Sequence, residues 1–224
     1  MPTLAASTAA MLLADARLPS GGHAHSAGVE PAVTAGVRAA DLPALLRGRA
    51  STTTLVEAGT AVVARHARLE GGDLDAVEAA WAARTPSRAQ RDAARVLARG
   101  YLRVGAALLP GDEVIAAWRR RATPPPRPCV LGVIGAGLGL APLELARLVV
   151  YEDMQAAAAA VLKLEPCDPL DLVTLVVELC SGVEDRVRTI ATITDPADIP
   201  ALTAPQSEAW AEAHARSTRR LFRA

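Results

Sequence analysis

Two histidines and a serine lie close together near the start of the sequence, in a segment rich in glycine. Residues 18–30 read LPSGGHAHSAGVE and contain His23, His25 and Ser26. In an extended turn, two imidazoles separated by one residue share a side. Both could then contact an ion that prefers imidazole ligands, such as Ni²⁺ or Cu²⁺. The alternative is that both histidines organise the loop or contact a partner through hydrogen bonds.

The same segment is predicted to form a turn of defined shape. Residues 18–22 include Pro19, Gly21 and Gly22, and proline fixes φ while glycine admits positive φ. We expect Gly21 and Gly22 to occupy the left-handed region, where a β-branched residue is strongly disfavoured. A turn that presents two histidines and a serine indicates that the segment does more than connect two helices.

The sequence contains no recognisable catalytic arrangement. Ser26 has histidines nearby, but no G-x-S-x-G elbow surrounds it and no acid completes a triad. Cys167 and Cys180 have no identifiable base, which favours buried or inert thiols. We therefore predict that the protein is not an enzyme. The alternatives are a helical metal-dependent enzyme that uses the His23/His25 turn, and a helical structural or regulatory protein without a metal role.

A glycine-rich run at residues 132–139, GVIGAGLG, invites comparison with dinucleotide-binding loops. Its spacing is G-x-G-x-G rather than G-x-G-x-x-G, and no repeating βαβ pattern surrounds it. We interpret the run as a helix whose glycines allow a neighbouring helix to approach closely. The acids that follow, Glu144, Glu152 and Asp153, are interpreted as a solvated helix surface.

The composition narrows the class of protein. The 224 residues carry a formal net charge of zero, which gives no indication of a nucleic-acid or anionic-membrane partner. Hydrophobic residues make up 51% and aromatic residues 3%, so alanine, leucine and valine must form the core. No run is long and apolar enough for a membrane span, and the apolar N-terminus lacks the basic residues of a secretory signal. With an odd number of cysteines, we expect a reduced, cytoplasmic protein.

Helical periodicity dominates the chain, and convincing alternating strands are absent. Helix starts are predicted at Asp41, Ser87, Pro142 and Asp168. We predict an all-α fold, a single compact domain spanning 1–224 with roughly nine or ten helices. Residues 123–128, which contain four prolines, are expected to form an external loop.

The last predicted helix, at about 206–222, carries a basic stripe and two large apolar residues. Leu221 and Phe222 lie close to the chain end, where a core is difficult to build. We predict that this helix docks on a partner with an acidic rim and an apolar pocket. The alternatives are a solvated basic face and a Phe222 that folds back onto the body. The arginines at i, i+3, i+4 and i+7 are Arg216, Arg219, Arg220 and Arg223.

Four segments carry a resemblance to a known family. The pattern L-P-x-G-x-x-x-H-S-x-G-V-E at 18–30, followed by Ala-Val at 32–33 and Gly-Val at 36–37, resembles the N-terminal signature of the UreF family of urease accessory proteins. The tail, with His214 six positions before Arg-Leu-Phe at 220–222, resembles the end of the same family. Segments 93–100 and 128–140 resemble its central helix and its small-residue segment. Two departures indicate a divergent, actinobacterial-type branch, because Pro-Cys-Asp-Pro at 166–169 and His23 replace common family residues.

The resemblance implies a helical, non-catalytic chaperone of urease maturation that dimerises. Such a protein binds the accessory protein UreD, called UreH in some species, and recruits the GTPase UreG, so that nickel is delivered to apo-urease. No permanently bound cofactor is implied, and a transient nickel contact would involve His23 and His25. The expected partner-binding residues are Leu18, Pro19, Gly21, Gly22, His25, Ser26, Gly28, Glu30, His214, Arg216, Arg220, Leu221 and Phe222.

Overall fold

The helix boundaries of a computed structural model, which describes residues 4–218 and 221–222, confirm the all-α prediction. Those residues contain no β-strand. They form more helices than the nine or ten predicted, because short helices such as the second and eleventh are too brief to show a period. The twelve helices are α1 Ala6–Ala14, α2 Val29–Thr34, α3 Leu42–Ala50, α4 Thr53–Glu70, α5 Leu74–Ala83, α6 Arg88–Leu108, α7 Glu113–Arg120, α8 Arg127–Gly137, α9 Pro142–Leu164, α10 Pro169–Gly182, α11 Glu184–Ile190 and α12 Pro205–Ala215.

Side-chain caps explain why several helices begin where the sequence predicts. The hydroxyl of Ser87 accepts a hydrogen bond from the Gln90 backbone N–H at the start of α6. The Asp168 carboxylate accepts one from the Leu170 N–H at the start of α10, 2.9 Å away. Each bond satisfies a backbone donor that has no partner inside its helix. Asp41 precedes α3 as predicted but makes no such cap bond.

The glycine-rich run forms α8, which lies in the interior between α4, α6 and α9. Every residue from Arg127 to Ala136 is buried. A Cβ atom placed on Gly132 would lie 2.5 Å from the Ala61 carbonyl oxygen and 2.7 Å from the Ala64 Cβ, both on α4. The interpretation of the run as a helix with a close helical neighbour is therefore confirmed.

Gly132→Ala is expected to destabilise the protein by about 1–3 kcal/mol, because the added methyl group overlaps the backbone of α4. Gly48→Ala, inside α3, is the matched control. A Cβ there meets no atom within 4 Å, so alanine should stabilise the helix by about 0.5–1 kcal/mol. Urea unfolding of both variants measures the difference. Equal stabilities would mean that α4 and α8 are not in close contact.

The expectation of an external proline-rich loop at 123–128 is wrong. The connection spans 121–126, the three consecutive prolines 124–126 are buried, and α8 already begins at Arg127. Proline is favoured in the first turn of a helix, where its missing N–H has no partner to lose. Pro128 is therefore the second residue of α8, and residues 124–128 lie in the interior.

Candidate functional site at the junction of the two end motifs

The N-terminal turn follows α1 and contains three residues with positive φ. Gly21 has φ of +86° and Gly28 has φ of +86°, and between them Ala27 has φ of +50°, which is uncommon for a residue with a side chain. Gly22 begins a 3₁₀ turn, Gly22–Ala24, and its φ is not positive. The expectation of a left-handed conformation is confirmed for Gly21 and wrong for Gly22.

This difference gives a matched pair of substitutions within the turn. A Cβ on Gly21 meets no atom within 4 Å, so Gly21→Ala is expected to cost about 1–2 kcal/mol from backbone conformation alone. A Cβ on Gly22 would lie 3.6 Å from the Ser20 hydroxyl, an ordinary contact. Gly22→Ala should therefore be close to neutral. Equal unfolding free energies in urea would contradict this view of the turn.

The turn is seated on α6. Gly100 faces the backbone of Ser20, and a Cβ on Gly100 would overlap the Ser20 carbonyl group. Only glycine allows this approach between a loop and a helix. The segment 93–100, which the resemblance identifies as the family's central helix, thus positions the N-terminal motif.

The N-terminal and C-terminal motifs meet at Glu30. Its carboxylate accepts hydrogen bonds from the backbone N–H groups of Leu221, at 2.6 Å, and Phe222, at 2.8 Å. Glu30 is 7% exposed and His214 is 4% exposed. The Nε2 atom of His214 lies 3.1 Å from Glu30 Oε2, without hydrogen-bond alignment. Two segments about 190 residues apart in sequence are therefore joined through one buried carboxylate.

The predicted docking helix is shorter than expected, since α12 ends at Ala215 rather than near 222. The N–H groups of Leu221 and Phe222, which a longer helix would bond internally, are bonded to Glu30 instead. The predicted stripe of arginines depended on a helix that continued to residue 223. Arg216 lies directly after the helix end and is exposed. Arg219, Arg220 and Arg223 lie outside the described residues.

Phe222 is buried, which agrees with the alternative that it folds back onto the body and not with a side chain left free for a partner's pocket. It is 5% exposed, and the Lys163 Nζ atom lies 5.1 Å from the centre of its ring. Lys163, the only lysine, also donates a hydrogen bond of 3.2 Å to the His23 carbonyl oxygen. This lysine therefore contacts both the tail and the turn. Leu221 is 66% exposed and is the large apolar side chain that the tail presents.

A cavity of about 230 Å³ lies below the junction. Its lining includes His23, His25, Glu152, Lys163 and Phe222. Burial, with a smaller effect of the neighbouring Asp153 charge, raises the pKa of Glu152 to about 8. The Glu152 Oε2 atom is buried and has no hydrogen-bond partner among the described residues. The carboxyl group is therefore largely uncharged at neutral pH.

The interpretation of the three α9 acids as a solvated surface is wrong for two of them. Glu144 is exposed and caps α9, accepting a hydrogen bond from the Ala141 N–H. Asp153 is 1% exposed and accepts two hydrogen bonds from Arg49, at 2.9 and 2.8 Å, and one from the Thr54 hydroxyl. Burial alone would raise the pKa of Asp153, but Arg49, together with Arg127 and the Thr54 hydroxyl, outweighs it and lowers the pKa to about 2. Asp153 is thus a buried structural anion.

Comparison with known proteins decides the family. The UreF family model matches residues 36–180, a span that includes neither end motif. A urease accessory protein UreF from Mycobacterium sp. (strain JLS) is 36% identical over 217 residues, which is 96% of this chain and 97% of the relative. A UreF from Mycobacterium marinum is 36% identical over 221 residues, 96% of this chain and 98% of the relative. The chain belongs to the UreF family of urease accessory proteins.

The source of these UreF relatives agrees with the predicted actinobacterial-type branch. A further relative named urease accessory protein UreF, from Mycobacterium tuberculosis, is 34% identical over 192 residues and covers 83% of this chain and 88% of its own length. The chain and its relatives therefore correspond over almost their full lengths.

The candidate metal contact of this UreF family member stays a prediction. His23 is exposed and His25 is half-buried, and both line the cavity at the junction. In the part of the chain that the structure describes, no three histidine, cysteine, aspartate or glutamate side chains form a group that could hold a metal ion.

Burial divides the predicted partner-binding residues of the UreF motifs into three groups. Of the buried ones, Glu30 and Phe222 join the turn to the tail, and the exposed ones lie at the surface. The buried residues are Ser26, Glu30, His214 and Phe222, the exposed residues are Pro19, Arg216 and Leu221, and the half-buried residues are Leu18, Gly21, Gly22, His25 and Gly28. Arg220 lies outside the described residues.

The serine and cysteine side chains that could do chemistry differ in burial. Ser26 is fully buried. Cys167 is exposed, contrary to the buried thiol that was one expectation, and burial raises the pKa of the half-buried Cys180 thiol. None of the described helices combines the length and the apolar character that crossing a bilayer requires.

Proposed function

We propose that this chain is a non-catalytic chaperone that bridges the UreD/UreH accessory protein and the GTPase UreG to promote nickel insertion into apo-urease. Nickel is the cargo, and the GTPase supplies the hydrolysis of GTP. Membership of the UreF family supports the proposal, because its relatives carry the name urease accessory protein.

The junction at Glu30 is the observation that carries the proposal. One buried carboxylate joins the N-terminal turn to the tail, and Lys163 contacts both segments. The two motifs thus form one composite surface, on which Pro19, His23 and Leu221 are exposed. Large exposed apolar groups beside ordered polar groups are typical of interface anchors.

We propose that UreG is recruited at this composite surface, with Leu221 as the apolar anchor. The protein acts as a homodimer in the complex. A transient nickel contact at His23 and His25 belongs to the same proposal, because both imidazoles lie where the composite surface opens into the cavity. Calorimetric titration with nickel tests that contact, and equal affinity in wild type and His23→Ala/His25→Ala would remove it.

Leu221→Asp tests the recruitment surface. Truncating or charging an interface anchor costs about 2 kcal/mol or more, which corresponds to about thirty-fold weaker binding. We expect pull-down of UreG in the presence of UreD to fall accordingly, with the melting temperature unchanged because Leu221 is exposed. Leu69→Asp on α4, at a leucine that is 52% exposed, is the matched control. Equal retention of UreG by both variants would place the interface elsewhere.

A further inference from the structure

Arg127, the first residue of α8, is a buried arginine that forms an ion pair with Glu57 but donates no hydrogen bond to the residues that the structure describes. The residue is 5% exposed. Its closest carboxylate atom is Glu57 Oε2, 3.7 Å from Nε, which is beyond hydrogen-bond distance. No hydrogen bond joins the guanidinium to any of residues 4–218 or 221–222. A guanidinium has five N–H donors, and each is most stable when it is bonded to an acceptor.

Three of the four carboxylate oxygens of the neighbouring acids accept hydrogen bonds from other groups, and the fourth, Glu57 Oε2, forms the ion pair with Arg127. Both oxygens of Asp153 accept hydrogen bonds from Arg49, and one also accepts from Thr54. Glu57 Oε1 accepts a hydrogen bond of 2.8 Å from the Trp81 indole N–H. Burial raises the pKa of Glu57, although Arg127 opposes the shift. Within residues 4–218 and 221–222, Arg127 is thus held by its ion pair with Glu57 and not by hydrogen bonds, so its N–H donors are open to a further acceptor.

Two cavities border Arg127 and provide room for such an acceptor. The first is the cavity of about 230 Å³ at the junction, where Lys163 and Glu152 also lie. The second is a smaller cavity of about 60 Å³ on the side of Arg49 and Glu57. Both volumes exceed the space that one water molecule needs, and the larger one exceeds it many times.

We propose that the larger cavity binds a small planar oxyanion of carboxylate or bicarbonate size, held by the guanidinium of Arg127. Planar oxyanions match the two parallel donors of a guanidinium fork, and such charge-assisted pairs are the strongest hydrogen bonds in proteins. Lys163 supplies a second positive charge at the exposed side. Glu152 does not oppose the anion at neutral pH, because its carboxyl is largely protonated.

The charges that surround the cavity are compatible with an anion. The acids Glu57 and Asp153 lie on the side of Arg127 where Arg49 also lies. Asp15, which lines the larger cavity, forms an ion pair with Arg17 at 2.7 Å. The α8 helix begins at Arg127 without a side-chain cap. The partial positive charge of this helix N-terminus therefore adds to the positive electrostatic potential around Arg127.

Thermal denaturation in acetate, bicarbonate and phosphate, each matched in ionic strength with chloride, tests the proposal. Acetate or bicarbonate at tenfold excess over its dissociation constant should raise the melting temperature of the full chain by about 3 °C, with saturation. Absence of a saturable shift with both planar anions would overturn the proposal, since water then fills the cavity. A rise in melting temperature with phosphate alone would contradict the proposal that the cavity binds planar oxyanions.

Arg127→Lys locates the site, because lysine keeps the charge and removes the fork. We expect at least tenfold weaker acetate binding, while Arg103→Lys, at an exposed arginine, should bind as wild type does. If Arg127→Lys does not fold, Lys163→Gln replaces it, and acetate affinity should fall at least threefold. Unchanged affinity in the folded variant would place the anion elsewhere and overturn the proposal.

Discussion

Replacing Glu30 with alanine is expected to release the C-terminal tail and to lower the free energy of unfolding by about 2–4 kcal/mol. The carboxylate accepts hydrogen bonds from two backbone N–H groups, Leu221 and Phe222. Hydrogen bonds to a charged group contribute about 1.5–3 kcal/mol each, and solvation of the released N–H groups recovers part of the loss. Phe222 should then lose its buried position beside Lys163.

Urea unfolding and hydrogen exchange measure this effect together. The amides of Leu221 and Phe222 should exchange much faster in Glu30→Ala, while those of the α4 and α8 interior keep their protection. Glu70→Gln, at an exposed acid on α4, is the control and should match wild type. Unchanged protection of the two tail amides in Glu30→Ala would show that the carboxylate does not hold the tail.

Glu152→Gln is expected to stabilise the protein increasingly as the pH rises. Burial raises the pKa of Glu152 from 4.5 to about 8 in the folded state. The folded state thus holds the proton more tightly than the unfolded state, so wild-type stability is lost as pH rises from about 4.5 to about 8. This shift corresponds to at most about 5 kcal/mol. Partial exposure to the cavity reduces the expected loss to about 2–3 kcal/mol.

Urea unfolding at pH 5 and pH 8 measures the difference between Glu152→Gln and wild type. Glutamine stays neutral throughout, so the stability gap should be small at pH 5 and should reach about 2–3 kcal/mol at pH 8. Other titrating groups contribute equally to both proteins and cancel. The unfolding free energy of the control Glu70→Gln should change between pH 5 and pH 8 as that of wild type does. A constant gap between Glu152→Gln and wild type would mean that this carboxyl is charged at neutral pH.

Local signals in the sequence are sufficient to predict the starts of several long helices. Ser87 and Asp168 cap α6 and α10 as predicted, and Pro142 begins α9. The role of the α8 glycines could likewise be predicted locally, because their spacing differs from that of dinucleotide-binding loops and is compatible with a close helix contact. Each of these conclusions depends on residues within a few positions of one another.

Tertiary contacts account for the expectations that the structure corrects. A helical face of acids is ordinarily solvated, and the burial of Asp153 depends on Arg49, more than a hundred positions earlier. The burial of Phe222 depends in the same way on Glu30. One available signal was the acid that ends the N-terminal pattern, since a carboxylate in a motif without catalytic partners suggests a structural acceptor. Nothing in the sequence indicated that Arg127 is buried, because it lies in a proline-rich stretch that is typical of a loop.

Activation of apo-urease in a purified system tests the central claim most directly. Apo-urease, UreD, UreG, GTP and nickel are combined with and without this chain, and urea hydrolysis is followed. We predict that activity rises when the wild-type chain is added and falls towards the level without the chain when Leu221→Asp replaces it, with Leu69→Asp as active as wild type. Equal urease activity with and without the wild-type chain would contradict the proposed function.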